Sequence, residues 1–335
     1  MTRTIAVALL GLFAGVLPAA DFPQTEITNG PIRAKIYLPD AQKGFYRGTR
    51  FDWSGVIFSL QYKGFDFYGP WFDRTAPDIR DFIYDGPDIV AGPCSAVTGP
   101  ADEFRPLGFD EAKPGGTFVK IGVGALRRPD DAEYSNYRLY EIADGGKWAV
   151  RQGRDFIEFT QQLSDASSGY GYSYRKVVRL IPGKPEMVLE HSLRNTGSRP
   201  IRTSVYNHNF IVINKQRTGE GFVITVPFQI RTPRPPNPKL AEIRGNQIVY
   251  LRTLEGRDVV SAQIQGFGDT ARDHEIRVEN RKLGAGMRIV GDRPLMSFNF
   301  WSIRSVVSPE PFVAIDIAPG SEFTWKNAYT YYTLP

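Results

Sequence analysis

Histidine is the side chain best suited to exchange protons near neutral pH, and the chain contains three of them. One of these, His208, lies between Asn207 and Asn209, whose amide groups can fix the tautomer of the imidazole ring. Phe210 adds an aromatic wall beside it. This setting favours His208 as a candidate for general acid–base chemistry, with a structural role in a strand as the alternative.

The other two histidines are expected to be structural. His191 alternates with Leu189 and Leu193 in an apolar run, which predicts a position in the core or on a sheet face. His274 follows the polar turn at residues 269–273 and is expected at the surface.

One carboxylate is set apart by its neighbours. Glu310 lies between Pro309 and Pro311, which restrict the backbone, and Phe312 follows. Apolar runs on both sides suggest that the carboxyl group is partly desolvated, and desolvation raises the pKa of a carboxyl group towards that of a useful base. The alternative is an ordinary turn at the edge of a sheet.

Residues 44–55 concentrate aromatic and charged side chains. Aromatic faces stack on the CH surfaces of sugars, and Arg and Asp side chains bind hydroxyl groups. The segment therefore predicts a sugar-type binding surface, with a salt-bridged surface turn as the alternative. The side chains concerned are Tyr46, Arg47, Arg50, Asp52 and Trp53.

Short runs of β-type residues separated by turns make up most of the chain, which has 33 glycines and 25 prolines. The strand signal is clear at residues 118–123, 170–181 and 187–193. No convincing amphipathic helix of about twelve residues follows the N-terminal segment. The pattern predicts an all-β fold, a large antiparallel β-sandwich, with residues 21–335 forming a single domain.

Two long irregular segments, residues 73–84 and 233–241, interrupt this pattern. Long ordered loops in compact domains are often functional. We therefore expect both segments to lie over a binding cleft.

Residues 1–20 are typical of a signal peptide. Arg3 provides a basic start, residues 5–17 form an apolar run of about a dozen residues, and cleavage is expected near Ala19 or Ala20. The mature protein is then secreted or periplasmic, with an uncleaved anchor as the alternative. No later stretch is apolar enough to span a membrane, so no membrane association is expected after cleavage.

Composition argues against several classes of protein. Cys94 is the only cysteine, so no intramolecular disulfide can form. With one cysteine and three scattered histidines, a zinc cluster is not expected. The net charge of +5 is spread along the chain without a block of Lys and Arg, so nucleic acid is not an expected partner.

The segment at residues 187–210 resembles the central region of the aldose 1-epimerases, or galactose mutarotase-like proteins. In that family a strand, an Asn-rich turn and a second strand lead to an Asn-His-x-aromatic motif, which Asn-His-Asn-Phe at residues 207–210 fits. The family also ends with a glutamate on a strand, a Pro-Gly-type turn and an aromatic strand, which the sequence from residue 309 onward fits. The segment at residues 47–55 resembles an early family segment in which an arginine lines the sugar cleft. The resemblance loosely covers residues 27–332.

The resemblance implies a fold and a reaction. The fold is the galactose mutarotase-like supersandwich with a sugar cleft on one face. The reaction is the interconversion of the anomers of an aldose by acid–base ring opening, without a metal or other cofactor. His208 corresponds to the general acid and Glu310 to the general base, and the partner is a small carbohydrate.

The sequence also departs from the pattern of this family. Galactose mutarotases carry a second histidine earlier in the cleft, whereas residues 92–108 contain none. Glu103 and Arg105 are the candidates to take the place of this histidine. Because the histidine is missing, galactose itself is not an implied substrate. The candidate substrate-binding residues are Arg47, Arg50, Glu103 and Asn207.

Three other functions compete with an epimerase, because one fold hosts many activities. The first is a carbohydrate-binding protein without catalysis. The second is a lyase or hydrolase of the same fold that acts on a polysaccharide. The third is a structural or partner-binding sandwich that binds no sugar.

Overall fold

A computed structural model describes residues 22–335 of the chain. Within that range the regular structure consists of β-strands and one short 3₁₀ helix, Ala271–Asp273, with no α-helix. The prediction of an all-β fold is therefore confirmed. No helix of the described range has the length and apolar character needed to cross a membrane. The predicted signal peptide, residues 1–20, lies outside the described residues.

The strands are numbered in chain order. The first thirteen are β1 (Gln24–Thr28), β2 (Ile32–Tyr37), β3 (Val56–Tyr62), β4 (Phe65–Asp66), β5 (Arg74–Thr75), β6 (Phe82–Asp85), β7 (Asp88–Ala91), β8 (Gly99–Phe104), β9 (Thr117–Lys120), β10 (Gly124–Arg127), β11 (Ile142–Asp144), β12 (Lys147–Gln152) and β13 (Phe156–Asp165). The remaining thirteen are β14 (Tyr170–Leu180), β15 (Glu186–Asn195), β16 (Ile201–Phe210), β17 (Phe222–Thr225), β18 (Arg231–Arg234), β19 (Ala241–Arg244), β20 (Gln247–Tyr250), β21 (Val260–Gln265), β22 (Glu275–Asn280), β23 (Ala285–Gly291), β24 (Ser297–Ile303), β25 (Val306–Ile317) and β26 (Glu322–Thr333). The runs predicted at residues 170–181 and 187–193 correspond to β14 and β15, whereas the run predicted at residues 118–123 is strand β9 only as far as Lys120, and residues 121–123 form the turn to β10.

Two large antiparallel sheets form the sandwich. Ten strands in the order β12-β13-β14-β15-β26-β23-β22-β17-β20-β19 form one sheet, and six in the order β18-β21-β24-β25-β16-β8 form the other. Buried apolar side chains from both sheets, such as Leu189 in β15 and Phe298 in β24, belong to one core cluster. Each such side chain contributes about 1.5–3 kcal/mol when it is removed from water, so this shared core holds the two sheets together.

Three smaller sheets complete the fold: β1–β4, β5–β7 and β9–β11. A second apolar cluster joins the latter two to β16, through residues such as Ile89 in β7, Phe118 in β9 and Phe210 in β16. These elements stand above the outer face of the six-stranded sheet, the face that is turned away from the ten-stranded sheet.

Strand β16 separates the two faces of the six-stranded sheet. Asn207 accepts a hydrogen bond from Asn327 of the ten-stranded sheet, and Asn209 accepts one from the Tyr329 hydroxyl at 2.9 Å. Because successive residues of a strand point to opposite faces, His208 between them points to the outer face.

Candidate functional site

The ladder between β16 and β25 is interrupted in its middle. Pairing runs as far as Tyr206 opposite Phe312 and resumes at an isolated bridge between Ile211 and Val307. The register is the same on both sides of the interruption, so the two strands stay aligned across the gap. The gap covers residues 207–210 of β16.

This register places His208 of β16 directly opposite Glu310 of β25. Opposite residues of an antiparallel pair point to the same face. His208 Nε2 accordingly lies 3.2 Å from Glu310 Oε1. Two candidate groups that are far apart in the sequence thus become neighbours on the outer face of the six-stranded sheet.

Two prolines explain the interruption. Pro309 and Pro311 flank Glu310 and have no N–H to donate across to β16. Asn209 compensates, because its Nδ2 donates to the Pro309 carbonyl at 2.9 Å and to the Asn207 carbonyl at 3.2 Å. Proline in a sheet is normally confined to edge strands or bulges, yet β25 has neighbours on both sides. The edge-turn alternative for Glu310 is therefore wrong.

The imidazole ring of His208 is held on several sides. Its Nδ1 lies 2.7 Å from Ser308 Oγ. Its face stacks on Phe210, with ring centroids 3.8 Å apart and planes at 6°. Phe51 and Trp301 present their edges at 5.7 and 5.6 Å. These contacts keep Nε2 directed at Glu310.

Burial determines where the pair keeps its proton. It raises the pKa of Glu310 to about 8, with the charge of Arg50 opposing the rise and that of Glu103 adding to it. Burial, together with the charge of Arg50, holds the pKa of His208 well below its usual value of 6.5. The pair therefore holds one proton at neutral pH, on Glu310, with Nε2 of the neutral imidazole as acceptor. His208 Nδ1–H then donates to Ser308 Oγ.

Arg50 is anchored beside this pair by a buried polar group. Its Nε donates to Glu103 Oε2 at 2.7 Å and its Nη2 to the Tyr206 hydroxyl at 3.1 Å. The fully buried Lys120 lies 3.8 Å from the other oxygen of Glu103. Burial raises the pKa of Glu103, but the charges of Arg50 and Lys120 outweigh this effect and lower the pKa below its usual value. The Glu103 carboxylate is therefore ionised. Within residues 22–335, Nη1 of Arg50 has no hydrogen-bond partner.

A cleft of about 510 Å³ opens above the pair, within the size range of small-molecule sites. Aromatic side chains provide much of its wall, and polar groups are placed between them. The predicted loops contribute to it, since Asp81 and Phe82 come from residues 73–84 and Arg234 from residues 233–241. The lining residues are Arg50, Trp71, Asp81, Phe82, Ser95, Tyr137, His208, Phe210, Arg234, Ser261, Ala262, Gln263, Asn299, Phe300, Trp301 and Glu310.

A second cavity of about 370 Å³ adjoins the cleft. The two share Asn299 and Glu310 as lining residues, so Glu310 stands at their junction. Glu103 and Arg105, the two candidates to replace the second histidine of the related family, both line this second cavity and not the cleft.

The structure brings most of the predicted site residues together. His208, Glu310 and Arg50 line the cleft, and Glu103 binds Arg50 from the second cavity. All four have a relative exposure below 10%.

Two predicted substrate-binding residues do not reach the cleft. Arg47 is exposed and its Nη1 donates to the carbonyl of Gln42 at 2.8 Å. Asn207 lies beside His208 in the strand and therefore points to the opposite face, where its Nδ2 donates to Asp102 Oδ1 at 2.8 Å. The predictions that these two residues bind the substrate directly are corrected accordingly.

Sequence reasoning missed several residues of the site, namely one that supports His208 and three that line the cleft. Ser308 lies two positions before Glu310 on the same strand face, so the period of two could have found it. Trp71, Asp81 and Trp301 belong to segments with no spacing relation to the histidine motif, and only the folded chain brings them to it.

A second histidine–carboxylate pair lies on the other face of the six-stranded sheet. His191 Nε2 is 3.1 Å from Asp102 Oδ2, and Lys176 Nζ is 2.5 Å from the same oxygen. Asn207 binds the other oxygen, and Lys176 also approaches Asp52 at 3.4 Å. Burial alone would raise the pKa of Asp102. The charge of Lys176 and these hydrogen bonds outweigh burial and hold that pKa well below its usual range. The prediction of a core position for His191 is confirmed.

The surface position expected for His274 is wrong, because its relative exposure is 1%. Its Nδ1–H donates to the Arg293 carbonyl at 2.9 Å, and its ring packs against Gly291 so closely that a Cβ there would collide with it. In the preceding turn Asp269, Thr270 and Arg272 are exposed, so burial begins at His274 itself, immediately before β22. Among residues 22–335, no group of three or more His, Cys, Asp or Glu side chains is arranged to hold a metal ion.

The architecture is that of the galactose mutarotase-like proteins. A galactose mutarotase-like protein from Lactobacillus casei matches with a TM-score of 0.51 and 12% identity, over 92% of this chain and 100% of that one. The GalM/aldose epimerase homologue from C. elegans matches with a TM-score of 0.52 and 12% identity, over 95% and 100% of the two chains. A protein from Synechocystis sp. PCC 6803 matches with a TM-score of 0.56 and 12% identity, over 95% and 99%. No protein-family model and no curated protein sequence matches the chain. At such identities the likeness shows the fold alone.

Proposed function

We propose that the chain is an aldose 1-epimerase-like enzyme, which interconverts the anomers of an aldose by acid–base ring opening. The observation that carries this proposal is the His208–Glu310 pair, whose reactive atoms lie 3.2 Å apart on the wall of the cleft. Ring opening needs one group that gives a proton and one that accepts a proton. A pair that holds a single proton at neutral pH meets that requirement.

Ring opening follows from the spacing of the pair. The ring oxygen and the anomeric hydroxyl are both bonded to C1, so two groups a hydrogen bond apart reach both oxygens. Glu310 gives its proton to the ring oxygen while the bond from C1 to that oxygen breaks. His208 Nε2 takes the proton of the anomeric hydroxyl, whose oxygen becomes the carbonyl of the open-chain aldehyde.

Ring closure returns both protons. Rotation about the C1–C2 bond presents the other face of the carbonyl to the sugar hydroxyl that will close the ring. The Glu310 carboxylate takes the proton of that hydroxyl as its oxygen attacks C1, and His208 returns its proton to the carbonyl oxygen. These roles reverse those implied by the family resemblance, because burial places the resting proton on Glu310.

The rest of the cleft suits a sugar. Rings such as Trp71 and Trp301 offer faces or edges to the CH groups of a pyranose, while Nη1 of Arg50 is available to a hydroxyl group. The positions of these groups on separate elements give the site the few placed polar contacts that orient a ligand.

The proposal is tested by polarimetry of freshly dissolved α-anomers across a panel of aldoses. The wild type should accelerate anomer exchange, and His208→Gln and Glu310→Gln should each slow it by roughly 10²–10⁴-fold through loss of general acid–base catalysis. Glu220→Gln, at an exposed carboxylate paired with Lys282, serves as control and should keep the wild-type rate. Wild-type rates in both cleft variants would overturn the assignment, and sugar binding without acceleration by the wild type would identify a binding protein.

The second cavity supports a second candidate function. Because Glu310 stands at the junction of two cavities, a bond between two sugar units could cross it, as in a lyase or hydrolase acting on a polysaccharide. A buried carboxyl group with a raised pKa is also the general acid that glycosidic bond cleavage needs. New reducing ends released from oligosaccharides, with no effect on free aldoses, would favour this candidate over the epimerase.

A further inference from the structure

Three arginines around the two cavities keep hydrogen-bonding capacity that the protein itself does not use. Arg234 on the cleft wall and Arg105 in the second cavity are exposed, and neither forms an ion pair within residues 22–335. Arg50 is bound through Nε and Nη2, which leaves Nη1. The site is therefore bordered by available guanidinium N–H groups.

The carboxylates near the cleft do not balance these charges. Glu103 is occupied by Arg50 and Lys120. Glu310 is largely uncharged at neutral pH, because burial raises its pKa to about 8. Among the residues that line the cleft, Asp81 is the one other carboxylate. With Glu310 uncharged, the three arginines outnumber the two remaining carboxylates, Asp81 and Glu103, around the two cavities. A surface with an excess of positive charge attracts an anionic ligand.

We propose that the sugar bound in this cleft is acidic, a hexuronate, whose carboxylate is held by Arg50 and Arg234. The guanidinium group of Arg234 is free to bind a carboxylate through two parallel N–H donors, a geometry that neutral hydroxyl groups do not match, and Arg50 adds a single donor group, Nη1. This inference rests on the proposed function, because it assumes that the cleft is the sugar-binding site. What it adds is the chemical class of the sugar.

The chemistry of a hexuronate fits the position of Arg50. Its carboxylate carbon is bonded to C5, and C5 and the anomeric C1 are both bonded to the ring oxygen. A sugar whose ring oxygen meets the His208–Glu310 pair therefore brings its carboxylate close to that pair. Arg50 lines the same cleft as the pair, and its guanidinium group lies 4.5 Å from the centroid of the Phe51 ring, which itself contacts the His208 ring.

Calorimetric titration tests the proposal with glucuronate and galacturonate against glucose and galactose. Charge-assisted hydrogen bonds should make the uronates bind roughly ten- to a hundredfold more tightly than the neutral sugars. Added salt should reduce this preference, since the rim of the cleft is exposed.

Arg234→Gln isolates the contribution of the exposed arginine without disturbing the buried Arg50–Glu103 pair. It should weaken uronate binding by about tenfold and leave neutral sugars unchanged, because it removes one charge-assisted contact. Arg33→Gln in β2, where the side chain is 61% exposed and pairs with Glu26, is the matched control and should change neither.

The outcomes separate this inference from the proposed function. If neutral aldoses undergo accelerated anomer exchange and uronates bind no better, the acidic-sugar inference is wrong and the epimerase proposal stands. If uronates bind tightly in an Arg234-dependent way and no anomer exchange is accelerated, the inference stands and the epimerase proposal fails. An equal loss of uronate and neutral-sugar binding in Arg234→Gln would also overturn the inference.

Discussion

Two histidine–carboxylate pairs lie on opposite faces of the six-stranded sheet and have nearly the same separation. His191 Nε2 is 3.1 Å from Asp102, and His208 Nε2 is 3.2 Å from Glu310. Asp102 also contacts Lys176 and Asn207, whereas no side chain within residues 22–335 donates a hydrogen bond to the carboxyl group of Glu310, which faces the acceptor Nε2 of His208.

This difference in donors has opposite electrostatic consequences. With a cation and an amide at hand, the Asp102 carboxylate stays ionised and the network ties the two large sheets together. Glu310 has neither a cation nor an amide bound to it, so burial raises its pKa to about 8 and the carboxyl group keeps its proton. This carboxyl group lies on the wall of the cleft. A histidine beside a carboxylate is therefore not in itself a sign of catalysis. The remaining partners of the carboxylate, and access to a cavity, decide what the pair can do.

The largest effect should come from removing the cation of the structural pair. Lys176→Met leaves Asp102 and Asp52 buried without their counter-charge, and breaking a buried ion pair in this way costs about 3–5 kcal/mol in free energy of unfolding. Urea denaturation at pH 7 measures this cost. Lys282→Met, at a lysine whose side chain is 68% exposed, is the control and should change stability by less than about 0.5 kcal/mol. A similarly small change in Lys176→Met would contradict a structural role for the network.

The pair in the cleft should show the opposite behaviour, a gain in stability, when the carboxyl group of Glu310 is replaced by an amide. The pKa of Glu310 in the folded protein, about 8, lies above its ordinary value of 4.5, so the proton stabilises the fold fully below pH 4.5. That stabilisation is lost as the pH rises from about 4.5 through 8. Glu310→Gln removes this loss and should be more stable than the wild type at pH 8.5 by on the order of a few kcal/mol. Parallel stability curves for the two proteins between pH 5 and 8.5 would show that Glu310 is ionised in the folded state.

The pH dependence of anomer exchange should follow the same proton. The rate should be level through neutral pH and then fall above about pH 8, where Glu310 loses the proton that it gives to the ring oxygen. On the acid side the decline should begin well below pH 6.5, where His208 becomes protonated. The profile of kcat/KM against pH measures both limits, and a rate that rises through pH 9 would mean that the ionised carboxylate is the active form.

The smallest effect should come from the group that orients His208. Ser308→Ala removes the hydrogen bond at His208 Nδ1, and we expect about a tenfold lower kcat with a stability cost near 1 kcal/mol. Ser302→Ala is the matched control, because Ser302 is a buried serine bonded to the Tyr250 hydroxyl away from the cleft. It should cost similar stability and leave kcat unchanged. Equal rates in the two variants would remove Ser308 from the site.

Properties that depend on neighbouring residues in the sequence were predicted correctly, whereas properties that depend on distant segments were not. Strands β14 and β15 were predictable because alternation of apolar residues is visible in the chain itself. Arg47 and Arg50 could not be told apart, since they lie three residues apart in an irregular segment without a period that says which one points inward. His274 was misjudged because the polar turn before it is exposed, whereas the His274 ring is buried against Gly291 at the end of β23.

Local sequence was sufficient for the all-β class and for the choice of His208 and Glu310 as candidates, since both follow from residue types and their immediate neighbours. The tertiary structure alone decided that they are partners, because their contact depends on the register of β16 against β25 across the Pro309–Pro311 interruption. It also decided which of them holds the proton, since desolvation depends on atoms supplied by segments far apart in the chain.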